Sequence, residues 1–235
     1  MNRLFPLLQL REVALDLLFP RWCLGCHREG DLLCASCRAS LPLLQGVLCP
    51  RCGQPQAHAH DCPACREWPL AIDGIRSPFR FEGVMRKAIH QFKYQGLKAA
   101  AHPLAELLVD YWRAHRPACD VLVPVPLHPR RRRQRGYNPS GLLARRMAGL
   151  TGLPVEEGCL LRRRDTAPQA RTAGVEARHE NMSGAFLCRD KRLGGNRVLL
   201  IDDVCTTGAT LDACARALKS AGAASVRGLT LAREI

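Results

Sequence analysis

Apolar and polar positions change rhythm twice along the chain. Within the first twenty residues Leu10, Val13, Ala14, Leu17 and Leu18 recur near helical spacing, which predicts a short amphipathic helix over 1–20. From about Trp22 to Arg66 the periodicity stops. Cysteine pairs, Gly and Pro dominate, and no apolar repeat persists long enough for an independent core, so this stretch needs a staple to fold. After Pro69 strand-like and helix-like segments alternate. Ile72–Phe81 reads as an early strand or hairpin, Val84–Tyr94 as a helix ending near Gly96, and Leu104–Ala114 as an amphipathic helix. Val121–Val125 is a short apolar strand carrying one proline and followed by another. The basic segment His128–Gly136 then leads into a helix from about Ser140 to Leu150. Leu161–Gly195 is polar and Arg-rich, Val198–Ile201 is a buried-type strand, Thr210–Ala221 a helix ending at Gly222, and Ser225–Leu231 a last strand. This alternation predicts an α/β fold with a mostly parallel sheet covered by helices on both faces. The chain divides into a helix (1–20), a cysteine-rich domain (21–69) and an α/β domain (70–235).

Composition adds two constraints. With 47% hydrophobic and 24% charged residues the chain can bury a real core, and with only 5% aromatics that core is mainly aliphatic. The formal charge of +14 favours polyanionic partners: nucleic acid, an anionic membrane face, or a multiply phosphorylated small molecule. A solvated basic surface accounts for part of it, and charge alone does not choose among the three. No uncharged apolar run reaches the ~18 residues that span a bilayer. The opening segment is interrupted by Arg11, Glu12 and Asp16 and lacks a small-residue cleavage site, so the expectation is a cytoplasmic protein without a signal peptide.

In that compartment the thirteen cysteines are thiols, and eight of them form four CxxC pairs: Cys23/Cys26, Cys34/Cys37, Cys49/Cys52 and Cys62/Cys65. A CxxC turn brings two thiolates to one side of a tight knuckle, and zinc takes four in a tetrahedron, so eight supply two closed, structural sites. Gly25 and Gly53 ease the knuckle turns. Sequential pairing closes shorter loops than interleaved pairing and is favoured by a small entropic margin. Four complete pairs leave no vacancy for His58 or His60. Cys119, Cys159, Cys188, Cys205 and Cys214 read as small buried hydrophobes.

The main chemical signal is VLLIDDVCTTGATL, Val198–Leu211. An apolar strand delivers Asp202 and Asp203 at its carboxyl end, and the chain turns through Thr206, Thr207, Gly208, Ala209 and Thr210 into a helix. Backbone N–H groups, threonine hydroxyls and the helix amino terminus suit a phosphate monoester. Two carboxylates beside a phosphate would repel it unless they serve a neighbouring group. Ribose hydroxyls, met directly or through Mg²⁺, fill that role. The nucleotide P-loop and dinucleotide patterns are missing, which leaves a ribose 5-phosphate.

This arrangement resembles the phosphoribosyl pyrophosphate motif of type I phosphoribosyltransferases. The strings VLVPVPLHPRRRRQRGYNPSGLLA and PQARTAGVEARHENMSGAF, with FKYQG at Phe92–Gly96 and the cysteine-rich start, narrow the resemblance to the ComF/GntX type. It implies a type I phosphoribosyltransferase-like sheet behind a double zinc ribbon. Asp202 and Asp203 would hold the ribose hydroxyls, and Thr206, Thr207, Gly208 and Thr210 would cradle the 5-phosphate of phosphoribosyl pyrophosphate bound with Mg²⁺. It also implies an association with DNA uptake, natural transformation or the use of external DNA. Val123–His128 would form the pyrophosphate loop, so Val125, Pro126 and His128 join the site. Arg130–Arg133 with Arg135 would neutralise the pyrophosphate, contact nucleic-acid backbone, or face solvent. Tyr137 would line the pocket, and Gln169, Arg178 and Asn181 would belong to a hood excluding water. Cys205 stands where the family usually has Tyr, and Thr172 where Leu is typical. The expected chemistry is a phosphoribosyl transfer to an acceptor that the sequence does not name. The rival is a single-stranded-DNA-binding uptake factor using the fold as sensor or scaffold, with Trp22, Trp68 and Tyr137 as the aromatic side chains available to stack bases. A purely structural zinc adaptor ranks last, because it leaves the Asp-Asp and Thr-Thr-Gly loop without purpose.

Overall fold

The computed structural model describes residues 21–58, 62–165, 182 and 184–235; the expected helix at 1–20, the hood residues Gln169, Arg178 and Asn181, and Thr172 lie outside them. Two single-turn helices belong to the cysteine-rich region, α1 (Ala35–Ala39) and α2 (Pro63–Glu67). The rest comprises β1 (Gly74–Arg76), β2 (Phe79–Arg80), α3 (Gly83–Tyr94), α4 (Ala101–His115), β3 (Val121–Pro124), α5 (Pro129–Arg135), α6 (Pro139–Thr151), β4 (Leu160–Arg162), β5 (Phe186–Cys188), β6 (Arg197–Cys205), α7 (Ala209–Ser220) and β7 (Ser225–Arg233).

The main sheet runs β1-β7-β6-β3 with every pair parallel, and β2 continues along the same side of β7 as β1. Ile72–Phe81 is therefore an edge strand in two pieces, broken at Ser77-Pro78, rather than a hairpin. Proline has no N–H for a ladder, which confines it to such breaks and edges. Strand β6 outlasts the apolar run. Its ladder with β7 continues through Asp202↔Thr230, Val204↔Ala232 and Cys205↔Arg233, so both aspartates lie within the strand.

Alternate residues of β6 enter two cores, as a parallel sheet buried on both faces requires. Leu199 and Ile201 pack with Met85, Ile89 and Phe92 of α3, Leu104 and Leu108 of α4, and Leu143 and Met147 of α6. Val198 and Leu200 pack with Leu211, Cys214 and Leu218 of α7 and with Leu160 and Phe186 of the antiparallel pair β4–β5. The basic segment after β3 folds into α5. Pro129 supplies its first turn, His128 caps it by accepting from the Arg130 N–H at 3.4 Å, and Gly136 ends it at φ +78°. Among the described residues no helix is long and apolar enough to cross a membrane.

Candidate functional site

The cysteines form two tetrads. Cys23, Cys26, Cys34 and Cys37 make one, and Cys49, Cys52, Cys62 and Cys65 the other; within each, all sulfurs lie within 4.8 Å of one another. Pairing is sequential. The Sγ separations of 3.6 Å (Cys23–Cys34, Cys52–Cys62) and 3.7 Å (Cys26–Cys34, Cys49–Cys65) match the ~3.8 Å edge of a tetrahedron with Zn–S bonds of ~2.3 Å. Four thiolates at that spacing are the donor set of a closed structural zinc site. The first tetrad sits against α3, where Gln91 Nε2 donates to the Leu24 carbonyl at 2.9 Å. The second sits against the sheet edge, where the Ile75 N–H donates to the Arg51 carbonyl at 2.7 Å. Of the other cysteines, Cys159, Cys205 and Cys214 are buried, and Cys119 and Cys188 are half-buried. Burial pushes the Cys205 thiol up to about 11, so it stays protonated and makes no nucleophile near neutrality.

At the carboxyl end of β6 the two aspartates have different partners. Asp203 is buried and ion-paired with Lys93, Nζ to Oδ1 2.7 Å. Asp202 Oδ1 accepts from Ser140 Oγ at 2.7 Å and from the Asp203 N–H at 2.9 Å. Desolvation, reinforced by the charge of Asp203, pushes the Asp202 carboxyl up to about 7, against the pull of Ser140 and Lys93. Desolvation works against the Lys93 ammonium, but Asp203 and then Asp202 outweigh it and hold the group above its ordinary value. Lys93 and Ser140 carry no motif signal of their own. They fall inside strings that supported the family resemblance, and only the folding of α3 and α6 onto the end of β6 reveals their place.

The chain then turns through Thr206–Gly208 into α7. Gly208 has φ +88°, and a Cβ there would lie 2.8 Å from Ile75 Cδ1, so the turn needs glycine for both backbone and space. No side chain caps α7 at Gly208. Thr206 is exposed, Thr207 and Thr210 are half-buried, and Ala209 is buried, its N–H donating to Thr207 Oγ1 at 3.3 Å. Hydroxyls and helix-terminal amides thus stand beside the two carboxylates, the combination a ribose phosphate needs.

The remaining expected residues surround this centre. Val125 is buried, donates to the Ile201 carbonyl at 2.9 Å and accepts from Asn138 Nδ2 at 3.0 Å, which fixes the chain leaving β3; Pro126 follows half-buried. His128 Nδ1 lies 3.8 Å from Asp165, which also pairs with Arg131 at 3.0 Å. Arg131, Gln134 and Arg135 join Lys93, Tyr94 and Gly96 around an open cavity of about 590 Å³, with the Arg135 guanidinium 5.1 Å from the Tyr94 ring centre. Tyr137 is buried and its hydroxyl donates to the Phe92 carbonyl, which pins the helix bearing Lys93. Its ring does not face solvent, so it offers no base a stacking surface. Trp22 is exposed and Trp68 half-buried.

Fold and site together define a double zinc ribbon joined to a type I phosphoribosyltransferase-like domain. Residues 14–66 match the family model of the double zinc ribbon domain, and residues 136–234 that of the phosphoribosyl transferase domain. Competence protein ComFC of Bacillus subtilis is 31% identical over 214 residues, 88% of this chain and 86% of that protein. DNA utilization protein YhgH of Salmonella typhi is 32% identical over 194 residues, 80% and 85% of the two chains. Competence protein F of Haemophilus influenzae is 28% identical over 223 residues, 90% and 96%. The chain belongs to the ComF family.

Proposed function

We propose that this protein binds phosphoribosyl pyrophosphate with Mg²⁺ at the carboxyl end of β6 and transfers the phosphoribosyl group to an acceptor, in the service of DNA uptake or utilisation. The observation that carries the reading is the juxtaposition of two carboxylates, Asp202 and Asp203, with the amino terminus of α7, where the cap residue Gly208 has no side chain to offer. Asp202 and Asp203 accept from the ribose hydroxyls, and Thr206, Thr207, Gly208, Ala209 and Thr210 hold the 5-phosphate. Val125, Pro126 and His128 shape the loop leaving β3, with Tyr137 behind it. The basic cavity of Lys93, Arg131 and Arg135 takes the pyrophosphate. The donor set fits Mg²⁺, which is commonly held by one or two carboxylates plus substrate phosphates. When bound, the ion neutralises charge on the departing pyrophosphate. The residues themselves contribute position and charge: a cationic sugar forms beside two carboxylates, while ammonium and guanidinium groups face the leaving group.

Calorimetric titration with phosphoribosyl pyrophosphate and Mg²⁺, beside an Asp202→Asn/Asp203→Asn variant, tests this. Binding that the variant loses supports the site and justifies a screen of acceptors. No binding by folded, zinc-loaded protein refutes it.

A second reading, single-stranded DNA binding without catalysis, is favoured by α5. There Arg130, Arg132 and Arg133 are exposed, and the names of the relatives point to DNA. The two readings are compatible.

A further inference from the structure

Arg233, at the end of β7, is 1% exposed. No carboxylate pairs with it among the described residues. Its Nη1 donates to the Thr206 carbonyl at 2.9 Å and its Nη2 to the Cys52 carbonyl, while Nε is buried without a partner. One acceptor belongs to the phosphate loop and the other to a zinc-ligating residue. A buried guanidinium needs compensating negative charge. A dication held by four thiolates carries net negative charge, and the second tetrad, through Cys52, lies beside it.

Both gripped peptides do work at their own site. The described peptides are all trans, so a carbonyl held from inside turns the N–H of the same peptide outward. Gripping the Thr206 carbonyl therefore turns the Thr207 N–H away from Arg233, and the charge makes that N–H a better donor to a phosphate. The Cys52 carbonyl belongs to the peptide whose N–H, on Gly53, closes the knuckle on the Cys49 carbonyl at 3.0 Å. Ile75 adds a second connection between the same partners. A Cβ on Gly53 would lie 2.4 Å from its carbonyl oxygen, and a Cβ on Gly208 would lie 2.8 Å from its Cδ1. Knuckle and loop thus press on opposite ends of one residue. Among the described residues the first tetrad has no such link: it leans on α3 through Gln91 and on α4 through the Arg38–Glu106 pair at 2.8 Å.

We propose that Arg233 is a positioning residue coupling the second zinc ribbon to the phosphate loop, so that zinc in that ribbon and a 5-phosphate on the loop each strengthen the other's hold. This rests on the phosphoribosyl pyrophosphate reading. Coupling between sites is reciprocal, so the ligand must slow zinc loss from the second ribbon if that zinc supports the ligand.

The test follows zinc transfer from the full chain to a colorimetric chelator, with and without phosphoribosyl pyrophosphate and Mg²⁺. Ribose 5-phosphate is a second ligand, and inorganic pyrophosphate controls for chelation by the ligand. The release phase missing from a Cys65→Ser variant belongs to the second ribbon. The expected result is release from that ribbon slowed about tenfold, a mid-range coupling, with the first ribbon's phase unchanged. Arg233→Lys keeps one donor group but cannot bridge two carbonyls. It should retain both zincs, bind the ligand more weakly and show no ligand protection, whereas a merely structural role would leave the protection ratio intact. If Arg233→Lys does not fold, the wild-type ratio between the two ribbons decides alone. Equal slowing of both phases, or binding without protection, overturns the coupling and leaves the site standing. No ligand binding by the wild type overturns the proposed function, and the coupling with it.

Discussion

Replacing Lys93 by Met should be more damaging than its contact list suggests, and more damaging than removing its partner. The ion pair with Asp203 spans 2.7 Å, with side-chain exposures of 20% for Lys93 and 9% for Asp203. At that distance and an effective dielectric of about 20, the gross attraction is about 6 kcal/mol. Most of it is offset by desolvation, so the pair as a whole stabilises little. Breaking it from one side is different, because the remaining group keeps its desolvation without its partner, at about 3–5 kcal/mol for a fully buried pair. Lys93→Met leaves Asp203 beside Asp202 with no cation, and allowing for the partial exposure of the pair we expect a loss of about 2–4 kcal/mol. Asp203→Asn leaves an ammonium that can swing to water, and should lose about 1 kcal/mol. The double variant should recover most of the Lys93→Met loss. Urea denaturation of the four proteins as a double-mutant cycle measures this. The pH dependence has a defined sign. Asp202, at about 7 in the folded protein, takes up a proton below that value and ceases to repel Asp203, so the Lys93→Met deficit should shrink between about pH 8 and about pH 5. A Lys93→Met loss no larger than that of Asp203→Asn, or one independent of pH, would refute the reasoning.

Four further outcomes follow from the same geometry. Asp202 folds with its carboxyl raised from about 3.9 to about 7, so its contribution to stability is full below pH ~4 and is lost as pH rises through about 7. Ligand binding needs the carboxylate and so has the opposite trend: affinity for phosphoribosyl pyrophosphate should rise with pH below 7, and calorimetry on Asp202→Asn should show a shallower rise, the part that is left coming from the ligand's own phosphates, whose second pKa is about 6. Gly208→Ala, at φ +88° and 2.8 Å from Ile75 Cδ1, should cost about 1–3 kcal/mol in thermal unfolding and weaken ligand binding, and unchanged affinity would contradict the phosphate role of the turn. Neutralising Arg130, Arg132 and Arg133 to Gln should lower single-stranded-DNA affinity and reduce the salt slope by about 0.7 per lost phosphate contact in filter binding, while leaving phosphoribosyl pyrophosphate affinity unchanged.

What was legible in the sequence was what is local. Four CxxC knuckles each fit within four residues, and the strand, Asp pair and Thr-Thr-Gly turn are consecutive, so spacing carries the thiolate and ribose-phosphate chemistry while the family resemblance supplies phosphoribosyl pyrophosphate. Non-local features were hidden. Lys93 reaches Asp203 only because α3 packs on the β6 side of the sheet, and no period in the chain encodes that meeting. The apolar run of β6 ends at Ile201, where two acids follow, yet the ladder with β7 holds them in the strand. Tyr137 illustrates the same limit: the residue type suggests a surface on which bases could stack, while packing buries the ring and commits its hydroxyl to the Phe92 carbonyl. Arg233 is of a residue type that usually sits at the surface, and its burial is explained by partners far away in the chain: two carbonyls and the thiolate tetrad beside one of them.

The position of the zinc ribbons answers a problem set by the sheet itself. One of its edge strands is β1–β2, short and broken at a proline, and among the described residues no further strand lies beyond it. Such an edge presents unpaired amides that invite association with other chains. The cysteine-rich region covers it. Ile75 N–H donates to the Arg51 carbonyl at 2.7 Å, Leu44 N–H to the Pro78 carbonyl at 2.8 Å, and Arg80 N–H to the Pro42 carbonyl at 2.8 Å, with Leu43 bridged to Phe79. Arg51 lies inside the Cys49/Cys52 knuckle of the second tetrad, and residues 42–44 join the two tetrads. Metal therefore holds the cover in place, and losing it should uncover the edge before it dissolves the sheet. Stripping zinc with a chelator under reducing conditions should speed hydrogen exchange first at Ile75, Leu44 and Arg80, with the β3–β6 amides protected longer, and light scattering should rise as exposed edges pair. Exchange that accelerates equally at the edge and in β6 would show that the ribbons support the whole sheet cooperatively rather than guarding its edge.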